Sequence, residues 1–144
     1  MAAAHARGEA VALIDTHDRF DPAAAAAAGV HLHRLLWVRE HGRAERALTA
    51  MMLVLQAGGF GAVVLDLADA APLTLRQFPH TTWMRLARAV EGSPTVAVLV
   101  GAEHLGRSAG GATVALAPPG SPAGEWCGEG PRARRLAGIR LVEK

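Results

Sequence analysis

The sequence predicts an α/β fold, a mostly parallel β-sheet with helices on both faces. Two observations carry that prediction. The strand candidates are almost unbroken apolar runs, such as "AVALI" (10–14), "AVVLDL" (62–67) and "TVAVLV" (95–100). A strand covered on both sides needs apolar residues at successive positions, whereas a half-exposed one alternates. Between these runs lie segments whose apolar residues recur every three or four positions, the spacing of one helix face. Strand-then-helix alternation marks a parallel sheet, because parallel neighbours must be joined by a crossover. With 144 residues, 51% of them hydrophobic, the chain is long enough for one domain with a real core.

The elements follow in order. "AVALI" ends on Asp15, and "DPAAAAAA" then carries a helix start: Asp21 to cap free N–H groups, Pro22 at the first helical position, and Gly29 to end the turn. "LLWV" (35–38) is the second strand. From Arg43 to Gln56 the residues Ala47, Leu48, Met51, Met52 and Leu55 fall on one helix face, and Gly58–Gly59 supply the stop. After "AVVLDL", a helix from about Thr81 to Val90 buries Trp83, Leu86, Ala87 and Val90. Next come "TVAVLV", a polar loop, and a further strand candidate in "ATVALA" (112–117). Residues 1–117 form the expected core. Residues 118–131, rich in Pro and Gly, read as a linker or loop, and "RLAGIRLVEK" (135–144) as a final strand closing the sheet or a basic tail.

Composition narrows the function. A formal charge of +2 is too small to imply nucleic-acid binding, and with three Trp, three Phe and no Tyr there are few platforms for stacking single-stranded bases. No apolar run reaches the roughly 18 residues of a membrane span. The N-terminus lacks the basic-then-apolar pattern of a secretory signal, so the cytoplasm is expected. The single cysteine, Cys127, cannot form an internal disulfide, in keeping with a reducing compartment.

Several segments, in order, resemble the core of the RecA/recombinase ATPases, joined after its P-loop. These are "LIDTHDRFDPAAAAAAGV" (13–30), "ERAL" (45–48), "AVVLDL", matching the Walker B strand, "TVAVLV", and "SAGGATVALA" (108–117). Together they span about three quarters of the chain. Among relatives the resemblance is greatest to the ImuA group, accessory proteins of error-prone translesion DNA synthesis that work with an ImuB-like polymerase homologue. The departures bear on function. There is no G-x-x-x-x-G-K-[ST], and the only lysine is Lys144; a P-loop needs both its backbone N–H cradle and its lysine. His17 stands where the family carries a catalytic glutamate, and Gly101 and Ala102 where it carries an Asn-Gln pair that senses phosphate. Asp66 remains as a Walker-B-like remnant. Phosphoryl transfer needs several such groups together, so no catalytic residue and no cofactor are expected.

Other candidates have simpler readings. Asp66 is expected to hydrogen-bond nearby backbone in place of holding magnesium. Asp15, His17 and Asp18 read as a polar turn. His31 and His33 would share one face of a strand but lack a third ligand for zinc. Glu103-His104 follows a strand end, where α/β sites gather. Cys127 has no base beside it. Met51–Met52 reads as core packing. Arg76, Arg107, Arg132, Arg134 and Arg135 are the candidate contacts to DNA or a partner.

The resemblance thus implies a non-catalytic protein of the bacterial DNA-damage response that binds RecA, an ImuB-like protein or its own copies, with at most weak, non-specific DNA binding. Two alternatives stay open: an ATPase whose P-loop lies in a missing N-terminal region, and a SulA-like inhibitor of cell division. In the family the P-loop strand lies next to the one matched by "TVAVLV". Thr95, Ala97, Val98 and Val100 are therefore the expected edge for self-association, unless "ATVALA" or "RLAGIRLV" folds back to pair with it.

Overall fold

Ala10–Asp15 form strand β1, with a parallel neighbour on each side in the computed structural model. The structure describes residues 1–102, 111–115, 124–127, 135–139 and 142–143. The chain divides into two compact units, Met1–Arg107 and Ser108–Lys144.

In the first unit, helix α1 (Ala2–Ala6) precedes β1. Helix α2 (Pro22–Ala27) and a 3₁₀ turn at Leu32–Arg34 lead to β2 (Leu35–Arg39). Then come α3 (Ala44–Ala57), β3 (Phe60–Leu67), α4 (Pro72–Arg76), α5 (His80–Val90) and β4 (Val96–Gly101). The strands lie in the order β2-β1-β3-β4 and all pairs are parallel. This is an α/β fold. The chain steps from β1 to β2 on one side, crosses back through α3 to β3, and continues in that direction to β4. The reversal falls between β1 and β3, and in such sheets the crevice at the strand C-termini beside a reversal is where ligands bind.

Local chemistry sets the boundaries. The Asp21 carboxylate accepts hydrogen bonds from the N–H groups of Ala23 and Ala24 at 2.8 and 3.1 Å, with Pro22 at the first position of α2. Helix α3 stops at Gly58 and Gly59, whose φ angles of 69° and 83° are left-handed values that a side chain disfavours.

Register positions paired across neighbouring strands share a face. On one face Ala12, Ile14, Val63, Leu65 and Leu67 meet Ala47, Leu48, Met51 and Leu55 of α3, with Leu75 of α4 and Leu86 of α5 completing the core. Burying each larger side chain contributes about 1.5–3 kcal/mol. On the opposite face the β1 residues Val11 and Leu13 are buried as well, while Val96, Val98 and Val100 of β4 remain exposed. No helix among the described residues is long and apolar enough to cross a membrane.

The second unit departs from expectation. Val114–Ala115, β5, pairs antiparallel with β8, Val142–Glu143, and Gly124–Cys127, β6, with β7, Arg135–Ile139. "RLAGIRLVEK" therefore does not close the parallel sheet; it supplies β7 and β8 to two separate two-stranded sheets. The expected strand at 112–117 is described only at Val114–Ala115 and takes β8 as partner. The expected linker at 118–131 contains β6, since an antiparallel pair can form over four or five residues without a long apolar run.

Candidate functional site

The strand reversal brings two carboxylates side by side. Asp15 ends β1, its register partner on β3 is Asp66, and both lie on the face away from α3. Asp15 is 1% exposed and is held from three directions. It accepts hydrogen bonds from the Arg19 and Phe20 N–H groups, both at 2.9 Å, and from Trp37 Nε1 on β2 at 3.2 Å. A buried carboxylate needs such donors to offset its lost hydration. The result is a fixed loop after β1, its path set by Asp15. Phe20 packs edge-on against Trp37, with ring centroids 5.2 Å apart.

The loop is also tied at its outer side. Asp18 has a positive φ of 59° and forms a paired hydrogen bond with Arg39 of β2, at 2.7 and 2.5 Å. The guanidinium lies 4.9 Å from the centre of the Trp37 ring, in cation–π range. Hydrogen bonding to Arg39, reinforced by its charge, holds the Asp18 carboxyl below the usual aspartate value, and the same bond raises Arg39. Across the reversal, Arg19 Nε donates to Asp69 at 2.7 Å, joining the loop after β1 to the loop after β3.

Asp66, the expected Walker-B-like remnant, ends this crevice half-buried, and its Oδ1 accepts from the Ala68 N–H at 2.9 Å. That is the local backbone bond its position suggested. Beside Asp15, the Thr16 hydroxyl is fully buried and has no hydrogen-bond partner among the described residues. No group of three His, Cys, Asp or Glu side chains among those residues is arranged to hold a metal ion. The arrangement orders two loops at the sheet's C-terminal rim through carboxylates bonded to backbone, indole and guanidinium groups.

His31 and His33 are not on a strand, so the shared strand face considered for them does not arise. His31 precedes the 3₁₀ turn and His33 lies within it, and their rings stack 5.6 Å apart. Arg76, the last residue of α4, is exposed. Arg107, Arg132 and Arg134 lie outside the described residues, as do Glu103 and His104, while Arg135 starts β7 and Cys127 ends β6. In the expected edge segment, Thr95 lies just before the strand, and its hydroxyl donates to the Phe60 carbonyl at 2.7 Å. Ala97 packs toward the α3 core, while Val98 and Val100 occupy the open face. Met51 is fully buried, whereas Met52 lines a groove of about 400 Å³ between α3 and α5 with Leu48, Phe78 and Arg85.

Sequence reasoning missed the roles of Trp37 and Arg39. Their partners, Asp15 and Asp18, are on a different segment, so nothing in local spacing announces them. No protein-family model matches this chain, and no curated protein is significantly similar to it.

Proposed function

We propose that the chain is a non-catalytic interaction protein of the cytoplasm, a RecA-like accessory factor that supports error-prone translesion synthesis in the bacterial DNA-damage response. The observation that supports a binding role is the outer edge of β4. Among the described residues β4 pairs with β3 alone, and Val96, Val98 and Val100 on its open face are 57%, 38% and 40% exposed. No charged residue occurs from Thr95 to Ala102. A bare, uncharged, apolar edge is a template for an added strand, and proteins that avoid such pairing place charges there. The role in translesion synthesis rests on the family resemblance, in which this edge is the place of the P-loop strand. The partners it implies are RecA, an ImuB-like polymerase homologue or a second copy of the chain.

The test measures affinity for RecA, for the ImuB-like protein and for the chain itself, by sedimentation or calorimetric titration, with wild type and Val98→Lys. Micromolar or tighter binding to one of them, weakened at least about tenfold by a charge on the strand edge, is the expected result. Binding to none, or binding that Val98→Lys leaves unchanged, would overturn the assignment of this edge. ATP with magnesium serves as a further arm. Micromolar ATP binding lost in Asp66→Ala would favour the ATPase reading instead.

A further inference from the structure

Helix α1 is secured by a histidine whose principal bond exists in only one protonation state. His5 is 3% exposed, and its Nδ1 accepts a hydrogen bond from the His31 backbone N–H at 2.9 Å. An imidazole nitrogen can accept only while it carries no proton. The His5 ring stacks on His31, and His31 in turn on His33, each pair 5.6 Å between centroids and 16° from parallel. The stack sets a second imidazole face against His5.

The charged groups around His5 offer a proton no compensation. The charges acting on His5 are the Met1 amino group on its own helix, and His31 and Arg34 from the segment leading into β2. Arg34 also donates to the Gly8 carbonyl, so its positive charge is fixed beside the end of α1. The nearby Glu9 carboxylate is paired with Arg7 at 2.7 Å. On β1, Ala10 to Ile14 carry no charge, and the Asp15 carboxylate at the far end is bonded to Arg19, Phe20 and Trp37. Helix α2 is proline and alanine throughout.

We infer that His5, His31 and His33 form a pH-sensitive clasp that holds α1 against β1 while His5 is neutral and releases it when His5 is protonated. Burial is the main reason that docked His5 sits below its ordinary value. The Arg34 backbone opposes the shift, and the charges of His31, Met1 and Arg34 add to it. The sign follows from linkage. Released His5 takes up its proton near the ordinary histidine value of about 6.5, and docked His5 only at lower pH. Docking is therefore fully favoured above about pH 6.5 and weakens as pH falls below it, down to the pKa of the docked form.

Hydrogen exchange on the full chain tests the clasp, after correction for the intrinsic effect of pH on exchange. Between pH 7.5 and 5.0 the His31 amide and the amides of Ala4 to Gly8 should lose at least about tenfold in protection, while amides of β3 keep theirs. In His5→Gln the side-chain carbonyl can still accept but cannot titrate, so protection should not change between the two pH values. Imidazole titration by NMR in the wild-type chain gives an independent readout if that variant fails to dock. His5 should titrate below its ordinary range, and the His31 amide shift should follow the same midpoint. Unchanged wild-type protection at pH 5.0, an equal loss in His5→Gln, or a His5 midpoint at or above about 6.5 would each overturn the inference.

Discussion

Strands β1 and β4 are written in nearly the same letters and meet opposite fates. In β1, Val11, Ala12 and Ile14 are 0% exposed and Leu13 is 4%, with paired neighbours on both sides. In β4, alternate residues face the α3 core, but Val96, Val98 and Val100 are exposed and the outer backbone edge has no paired strand among the described residues. An apolar run thus reports that a segment suits a pleated surface, and says nothing of how many neighbours it will have. For β1 the run is a statement about stability. For β4 we read it as a statement about binding.

The sharpest way to break this contrast is to truncate one residue in each strand. Ile14→Ala should cost about 2–5 kcal/mol, as large-to-small changes in tight cores do. Val98→Ala, at a partly exposed site, should cost under about 1 kcal/mol. Urea unfolding of the two variants measures both, and equal losses would erase the distinction drawn between the strands.

A smaller effect is expected at the two carboxylates of the sheet's rim. Asp15→Ala strands the N–H groups of Arg19 and Phe20 and the Trp37 indole, and should destabilise by about 1–3 kcal/mol. Asp66→Ala gives up one bond to Ala68 and should cost less than about 1 kcal/mol. Thermal unfolding at neutral pH compares them, and a larger loss for Asp66→Ala would reverse the roles assigned to the pair.

The smallest effect concerns Asp18 and Arg39, on the solvent side of the same rim. Asp18 is held below its ordinary value, so it binds its proton more readily in the unfolded chain. Its contribution is present above the unfolded aspartate range and is lost as pH falls through the lower, folded value. Asp18→Asn should therefore flatten the acid limb of the stability curve and leave its basic limb unchanged, as read from melting temperatures between pH 3 and 8. A changed basic limb would assign the slope to another group.

Features whose cause lies in adjacent residues were legible in the sequence. Asp21 and Pro22 announce the start of α2, and Gly58 and Gly59 stop α3, because capping and left-handed φ are local matters. The four parallel strands were legible because each is an apolar run bounded by a helix or a turn. The pairing of β5 with β8 and of β6 with β7 was not, since strands of two to five residues carry too little pattern to name a partner. The same limit hid the loop after β1: Asp15 reads as a strand end, and only the fold brings Trp37 to it. His5 gave no signal at all, because a histidine in a run of alanines becomes a buried acceptor only when His31 arrives from a later segment.

The strand order also dictates a sequence of events during synthesis. β1 is made before both of its neighbours, yet one of them, β3, follows roughly fifty positions later, and closing so long a loop is slow. As the chain leaves the ribosome, β1 and β2 can pair first, with one side of the most buried strand still open. Only when Phe60–Leu67 emerges, with α3 already behind it, can that gap be sealed. The centre of the finished sheet is thus a seam between an early half and a late one.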